Sequence, residues 1–331
     1  RFCSARGDRL WSVDFRGDSF SRTTPVVGPD GTVFFARRSC NVGSQDANME
    51  VVAFREGRQL WAHEMGGDYT QPPQLSLSGN GTLCVAGAEV HRKKGWIYPM
   101  ADDRAALVGL DPATGKERFV AEVPGWTGYV RTCLSAGPDG NLYACHSERQ
   151  LSCYAPDGSH RWTYTLKGRV VVEHGQPRLR QSPSFDRDGN LLISTGTSSA
   201  YPEGYVIKLD RATGRELWRV NVQGGLASRP EPGPDGTIYA TTDAGDLLSL
   251  TPDGQPASQT RVGGSAWNNL AVGPGGLLYL NTDSQILAFQ PDLEKMTAAP
   301  PPVEGLEKSP GVQDRGEHVV VGGVRIRKAR R

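Results

Sequence analysis

Seven times along the chain, a turn ending in glycine leads into a short apolar strand. The glycines are Gly31, Gly81, Gly140, Gly189, Gly236, Gly276 and Gly316, spaced 50, 59, 49, 47, 40 and 40 residues apart. Asp30-Gly31 precedes Thr-Val-Phe-Phe-Ala, Asp139-Gly140 precedes Asn-Leu-Tyr-Ala-Cys, and Asp235-Gly236 precedes Thr-Ile-Tyr-Ala-Thr. Asp-Gly between apolar runs is a strong hairpin signal, because the turn needs a positive φ that glycine adopts without steric cost. A period of about 40–50 residues holding four short strands is the signature of a propeller blade. The expected fold is therefore all-β, a seven-bladed β-propeller of four-stranded antiparallel blades, WD40-like in architecture. Within each unit, strand A approaches the glycine turn, strand B follows it, strand C ends in a Leu-Asp-type corner and strand D carries a Trp or Phe.

A second motif, Gly-x-x-Leu-Trp, closes strand D at Gly57–Trp61 and Gly214–Trp218, and appears again at Gly7–Trp11. No complete unit precedes the first copy, and the last unit has strands only through Arg331. The expectation is a ring whose closing blade combines about 308–331 with an N-terminal strand from 7–16. Trp11, Val13 and Phe15 alternate with Ser12 and Asp14, as in a half-buried strand. The repeats run end to end, so one domain, 1–331, is expected.

Gly 41 and Pro 23 suit a turn-dense chain, and a net charge of +1 provides no global field for nucleic acid. No apolar run reaches the length of a membrane helix. The chain opens on Arg1 rather than Met, which reads as a mature or excised fragment; a membrane link is expected only through an anchor removed upstream. A monomer is expected.

Cys133, Cys145 and Cys153 fall on strands A, B and C of one unit, roughly abreast. They read as small buried apolar side chains, with a disulfide between two of them as the alternative and metal binding third, since no C-x-x-C spacing occurs. A Cys3–Cys40 disulfide is a further expectation. Asp186-Arg-Asp188-Gly-Asn190 looks like a calcium-loop fragment, but no later Glu completes it, so a plain turn is expected. No catalytic residue and no metal site are expected.

Elaboration is concentrated on one face. The B-to-C connections Arg37–Asn48, Glu89–Arg104 and Gly196–Gly204, and the D-to-A connection Lys167–Gln181, are long, while the turns of the opposite face stay short. Loops on a rigid scaffold carry function. The connection Glu89–Arg104 holds His91, Lys93, Trp96 and Tyr98, the mixture of cation and aromatic that anchors protein interfaces, or else a solvated loop with its aromatics tucked in. Nine residues before their turn glycines stand Arg22, Arg131 and Arg180, with Arg229 seven before its own. These sit where strand A begins, near Tyr69, Gln71, Tyr129, Gln181, Trp267 and Asn268. Unpaired guanidinium groups gathered at one mouth invite an anion. The competing expectation is that Glu173, Glu203 or Asp68 pairs with them.

The segments Leu-Asp-Pro-Ala-Thr-Gly-Lys-Glu (110–117) and Leu-Asp-Arg-Ala-Thr-Gly-Arg-Glu-Leu-Trp (209–218), with Asp-Gly-x-Ile-Tyr-Ala (235–240), resemble the pyrroloquinoline-quinone (PQQ) repeat family of β-propellers. That family is similar across quinoprotein alcohol dehydrogenases, an outer-membrane-assembly lipoprotein propeller and extracellular sensor domains of receptor kinases. The adjacent cysteine pair of the dehydrogenase branch is missing here, and the length matches the non-enzymatic branches. The resemblance implies a periplasmic or cell-surface recognition module that binds a protein partner or an anionic small ligand, PQQ among the candidates. The alternative it implies is a PQQ-dependent oxidoreductase.

Overall fold

The computed structural model describes residues 2–3, 9–13, 24–40, 47–65, 74–89, 104–123, 133–147, 149–167, 178–179, 181–196, 203–223, 225–242, 244–262, 270–273, 276–281, 286–290, 313–315, 318–321 and 324–327. It is all-β and divides into two compact units, Arg1–Thr165 and Leu166–Arg331.

The first unit holds three four-stranded antiparallel sheets. The first sheet joins Val26–Val27, Val33–Cys40, Ala47–Arg55 and Arg58–Glu64. The second joins Gln74–Leu77, Leu83–Glu89, Arg104–Leu110 and Glu117–Glu122. The third joins Cys133–Ala136, Leu142–Ser147, Gln150–Tyr154 and His160–Thr165. The second unit holds three more. In the fourth sheet Arg178–Leu179 and Ser184–Phe185 both pair with Leu191–Gly196, followed by Glu203–Leu209 and Glu216–Gln223. The fifth joins Glu231–Pro232, Ile238–Thr241, Asp246–Leu250 and Pro256–Arg261. The sixth begins with Ala271–Val272, Leu278–Asn281 and Ile286–Gln290. Within each unit the first strands of successive sheets adjoin, the arrangement of neighbouring blades.

Side chains alternate across a strand, so a strand between two neighbouring sheets is apolar on both faces. In Leu83–Glu89, Leu83 and Val85 pack with Phe34, Val51 and Ala53 of the first sheet. Cys84 and Ala86 on the opposite face pack with Leu134, Leu142 and Ala144 of the third. The second unit repeats this, with Ile238 and Ala240 against Leu192 and Val206, and Tyr239 against Leu270 and Leu278. Each such Leu, Ile or Val contributes about 1.5–3 kcal/mol by leaving water.

Turn chemistry explains the repeated glycines. At 28–32, Gly31 N donates to Gly28 O (3.0 Å), Gly28 N donates to Thr32 O (2.7 Å), and Asp30 Oδ1 accepts from Thr32 N (3.0 Å). Gly31 stands at φ +79°, in the left-handed region closed to most side chains. The Asp-x-Ala-Thr-Gly corner works similarly. Asp111 Oδ1 accepts from Ala113 N and Thr114 N at 2.9 Å each, while Arg118 holds the other carboxylate oxygen at 2.6 Å. Arg118 first, then Thr114 and Ala113, keep the Asp111 carboxyl below its ordinary value of 3.8. A depressed folded-state value adds stability above the unfolded value and loses it as pH falls through the folded one. The urea midpoints of the parent and an Asp111→Asn variant should therefore differ at neutral pH and converge as pH falls through the folded-state value, below 3.8.

Strand D aromatics lock neighbouring sheets together within each unit. Trp61 lies over Gly115, where a Cβ would fall 2.6 Å from the ring, and its Nε1 donates to Pro112 O at 2.9 Å. Phe119 lies over Gly158 and Trp218 over Gly254 in the same way. Trp11 meets Gly57, its Cβ 3.6 Å from where a methyl would stand.

Three features depart from expectation. The connection expected over Arg37–Asn48 is shorter, because its strands extend until Cys40 pairs with Ala47. The connection Lys167–Gln181 contains Arg178–Leu179, which lengthens the edge of the fourth sheet. Arg9–Trp11 pairs with Phe2–Cys3, and the C-terminal strands Gln313–Arg315, His318–Val321 and Val324–Arg327 join the sixth sheet, the last of them on Ile286–Gln290. The expected pairing of Trp11 with the C-terminal strands is not among the described pairings. The edge of Ile286–Gln290 pairs instead with Val324–Arg327, which satisfies its outward N–H and C=O groups.

Candidate functional site

Of the residues expected at the ligand mouth, Gln181 and Arg229 are described. Arg22, Arg131, Arg180, Tyr69, Gln71, Tyr129, Trp267 and Asn268 lie outside the described residues, as do His91, Lys93, Trp96 and Tyr98 of the protein-binding connection. The structure brings Gln181 and Arg229 to the start of the fourth and fifth sheets, in the second unit.

Pairing of Glu231 with Tyr239 opens the fifth sheet. Just before it, the chain is pinned by hydroxyls. Ser194 Oγ donates to Ser228 O (3.0 Å), Thr241 N donates to Ser228 Oγ (2.9 Å), and Ala227 N donates to Thr241 O (2.8 Å). Ser184 Oγ donates to Pro230 O, and Gln181 Nε2 donates to Ala227 O (2.9 Å), tying the fourth sheet to the fifth. Gln181 thus has a structural bond at this mouth.

Arg229 donates through Nε to Glu231 Oε1. Of the two side chains, Arg229 is 38% exposed and Glu231 13%. The unpaired guanidinium expected here is instead paired with Glu231, the first residue of the following strand and two positions on. Its acid is Glu231, not one of the loop acids. Burial pushes the Glu231 carboxyl above its ordinary value of 4.5, and Arg229 partly offsets this. Arg229 Nη1 and Nη2 have no partner among the described residues. The Thr241 hydroxyl is buried without a hydrogen-bond partner. Thr241 shares a face with Tyr239, the face that Glu231 occupies as register partner of Tyr239.

The cysteines resolve in favour of packing. Cys84, Cys133, Cys145 and Cys153 are buried thiols outside any disulfide. Cys133 and Cys145 are register partners, whereas Cys153 pairs with Tyr143. Burial pushes the Cys84 and Cys153 thiols up to about 12 and Cys145 well above 9.0. A maleimide reagent at about pH 8 should leave all four unmodified in the folded chain and label them all in urea, as mass spectrometry will read. The side chains of Cys3 and Cys40 lie outside the described residues. The Asp186–Asn190 segment is a turn. Asp186 Oδ1 accepts from Asp188 N (3.0 Å) and Asn190 N (2.8 Å), and Oδ2 faces Lys208 Nζ at 2.6 Å, a cation where a calcium loop would need an open carboxylate.

The sequence model of the family described as "Outer membrane protein assembly factor BamB", a PQQ-type repeat family, matches residues 202–293. These residues include the Ala-Thr-Gly corner of the fourth sheet and the whole fifth sheet. Residues 202–293 thus carry PQQ-type repeats, and the chain has a β-propeller fold. Solved propellers similar to this repeat protein include a europium-containing methanol dehydrogenase, 13% identical over 83% of this chain and 67% of that one, with a TM-score of 0.55. A hydrazine synthase from Kuenenia stuttgartiensis is 15% identical over 88% of this chain and 83% of that one, at 0.57. The Dos1 propeller is 13% identical over 93% of each chain, at 0.56. At such identities the chain shares a fold with these structures, and their chemistry does not transfer. No curated protein matches the sequence.

Proposed function

We propose that the chain is a non-catalytic, extracytoplasmic scaffold that binds a protein partner at the face carrying its long connections. The observation that carries this reading is the match of residues 202–293 to the outer-membrane assembly family. One further feature supports it: in the sequence, the long connections fall on one side of the repeats. Photo-cross-linkers placed in 90–103 should capture one envelope protein in cells. Cross-links distributed equally to turn positions such as Asp139 would overturn the reading.

The reading includes a single ring of seven sheets over 1–331, closed by the N-terminal strand. Support comes from Trp11, which meets Gly57 as Trp61 meets Gly115, the contact that strand D of a preceding sheet makes. On the sixth sheet, Tyr279 is 39% exposed whereas its counterparts Tyr143 and Tyr239 are buried, so that face calls for a seventh sheet. Deleting residues 1–15 should remove hydrogen-exchange protection from 318–327. Unchanged protection there would refute closure.

A second reading, a PQQ-dependent oxidoreductase, draws on the likeness to the methanol dehydrogenase fold. A planar tricarboxylate needs several cationic donors. Among the described residues of this mouth Arg229 alone offers open guanidinium nitrogens, so the described set does not fit the quinone and no step is derived through it. Dye-linked turnover with added PQQ and calcium should not exceed the buffer rate; a saturable rate would favour the enzyme.

A further inference from the structure

We propose that Arg229, oriented by Glu231 and backed by Thr241, forms a carboxylate-receiving site at the opening of the fifth sheet. The proposal rests on the scaffold reading, whose partner would supply the carboxylate from an acidic side chain or chain terminus.

Two independent observations point to a missing acceptor. Glu231 Oε1 occupies only the Nε edge of Arg229. A guanidinium has five N–H donors in a planar fork, and its Nη edge matches the two oxygens of a carboxylate. That edge is unpartnered among the described residues, on a side chain 38% exposed. On the face shared with Glu231, the Thr241 hydroxyl is fully buried with no partner, a state that buried polar groups rarely occupy. Its backbone is fully engaged, N–H to Ser228 Oγ and C=O to Ala227 N, so only the hydroxyl remains to donate. The Nη edge of Arg229 offers two parallel donors, and among common ligand groups a carboxylate fits that fork.

Glu231 has two opposing effects. It removes freedom from Arg229, which lowers the ordering cost of binding. It also places a carboxylate beside the incoming one, which opposes binding. Replacing it with Gln keeps an oxygen to accept from Nε and removes the competing charge. The site predicts a signature that a purely structural ion pair does not: Glu231→Gln tightens binding while Arg229→Lys weakens it.

The test is calorimetric titration of the intact chain with succinate and, separately, with the peptide N-acetyl-Gly-Glu-Gly amide. The expected result is saturable binding of at least one probe, weakened about tenfold or more by Arg229→Lys, because a point-charge ammonium cannot reproduce the bidentate fork. Glu231→Gln should tighten it a few-fold. Thr241→Val should weaken it while raising the melting temperature of the free chain, because a buried unpaired hydroxyl is replaced by a methyl of similar shape. Preference for the peptide identifies a protein source of the carboxylate, and preference for succinate a free one. No binding of either probe by the parent, or affinities unmoved by Arg229→Lys and Glu231→Gln, overturns the site. If the cross-linked partner is still captured by Arg229→Lys at parental yield, this inference fails while the scaffold reading stands.

Discussion

Gly158→Ala should destabilise the chain by about 2–5 kcal/mol, from two separable causes. Gly158 stands at φ +86°, where a Cβ costs about 1–2 kcal/mol against its own backbone. The same Cβ would stand 2.4 Å from Phe119 Cδ2 of the neighbouring sheet, and overpacking of that kind costs about 1–3 kcal/mol. Gly31 provides the control. It has φ +79° and nothing within 4 Å of its would-be Cβ, so Gly31→Ala should lose only the backbone part. In a Phe119→Ala background Gly158→Ala should likewise fall to about 1–2 kcal/mol. Equilibrium urea unfolding of the four variants measures this. Equal losses at Gly158 and Gly31 would mean that the aromatic does not press on the turn, and that strand D aromatics do not lock sheet to sheet.

Those contacts also show what was legible in the sequence. Spacing of Asp-Gly turns predicts the first six sheets, because a positive-φ turn between apolar runs leaves the chain little alternative to a hairpin. The aromatic of Gly-x-x-Leu-Trp is visible as a repeat, but its target is not: Trp61 rests on Gly115, fifty-four residues on and in another sheet. Only the fold relates those two glycine-bearing motifs. At the candidate site the position of Arg229 at the opening of a sheet was readable from its distance to Gly236. Its partner was readable too, since Glu231 lies two residues along an extended segment. Thr241 carried no signal, because a threonine ending a strand is ordinary until its hydroxyl is found buried and unpaired. The proposed closing sheet is harder for a physical reason: its strands would come from opposite ends of the chain, so no local turn would set their register.

Lys208→Met should cost about 3–5 kcal/mol, more than its single ion pair with Asp186 would contribute on a surface. Both side chains are nearly closed to water, Lys208 12% and Asp186 11% exposed, with Nζ 2.6 Å from Oδ2. Removing the ammonium leaves Asp186 held by two backbone amides and facing no counterion, and an uncompensated buried charge is what makes breaking such pairs expensive. Lys208 Nζ also lies 3.5 Å from Pro252 O, in a turn of the fifth sheet, so the variant weakens the joint between the fourth and fifth sheets. The double variant Asp186→Asn/Lys208→Met should recover most of the loss. Asn keeps an Oδ1 to accept from Asp188 N and Asn190 N, and Met fills the channel left by the lysine stem. Denaturant unfolding of both singles and the double gives the coupling energy directly. A single-variant loss below about 1 kcal/mol would place the pair among solvent-screened surface contacts and remove it as a reason for the turn's shape.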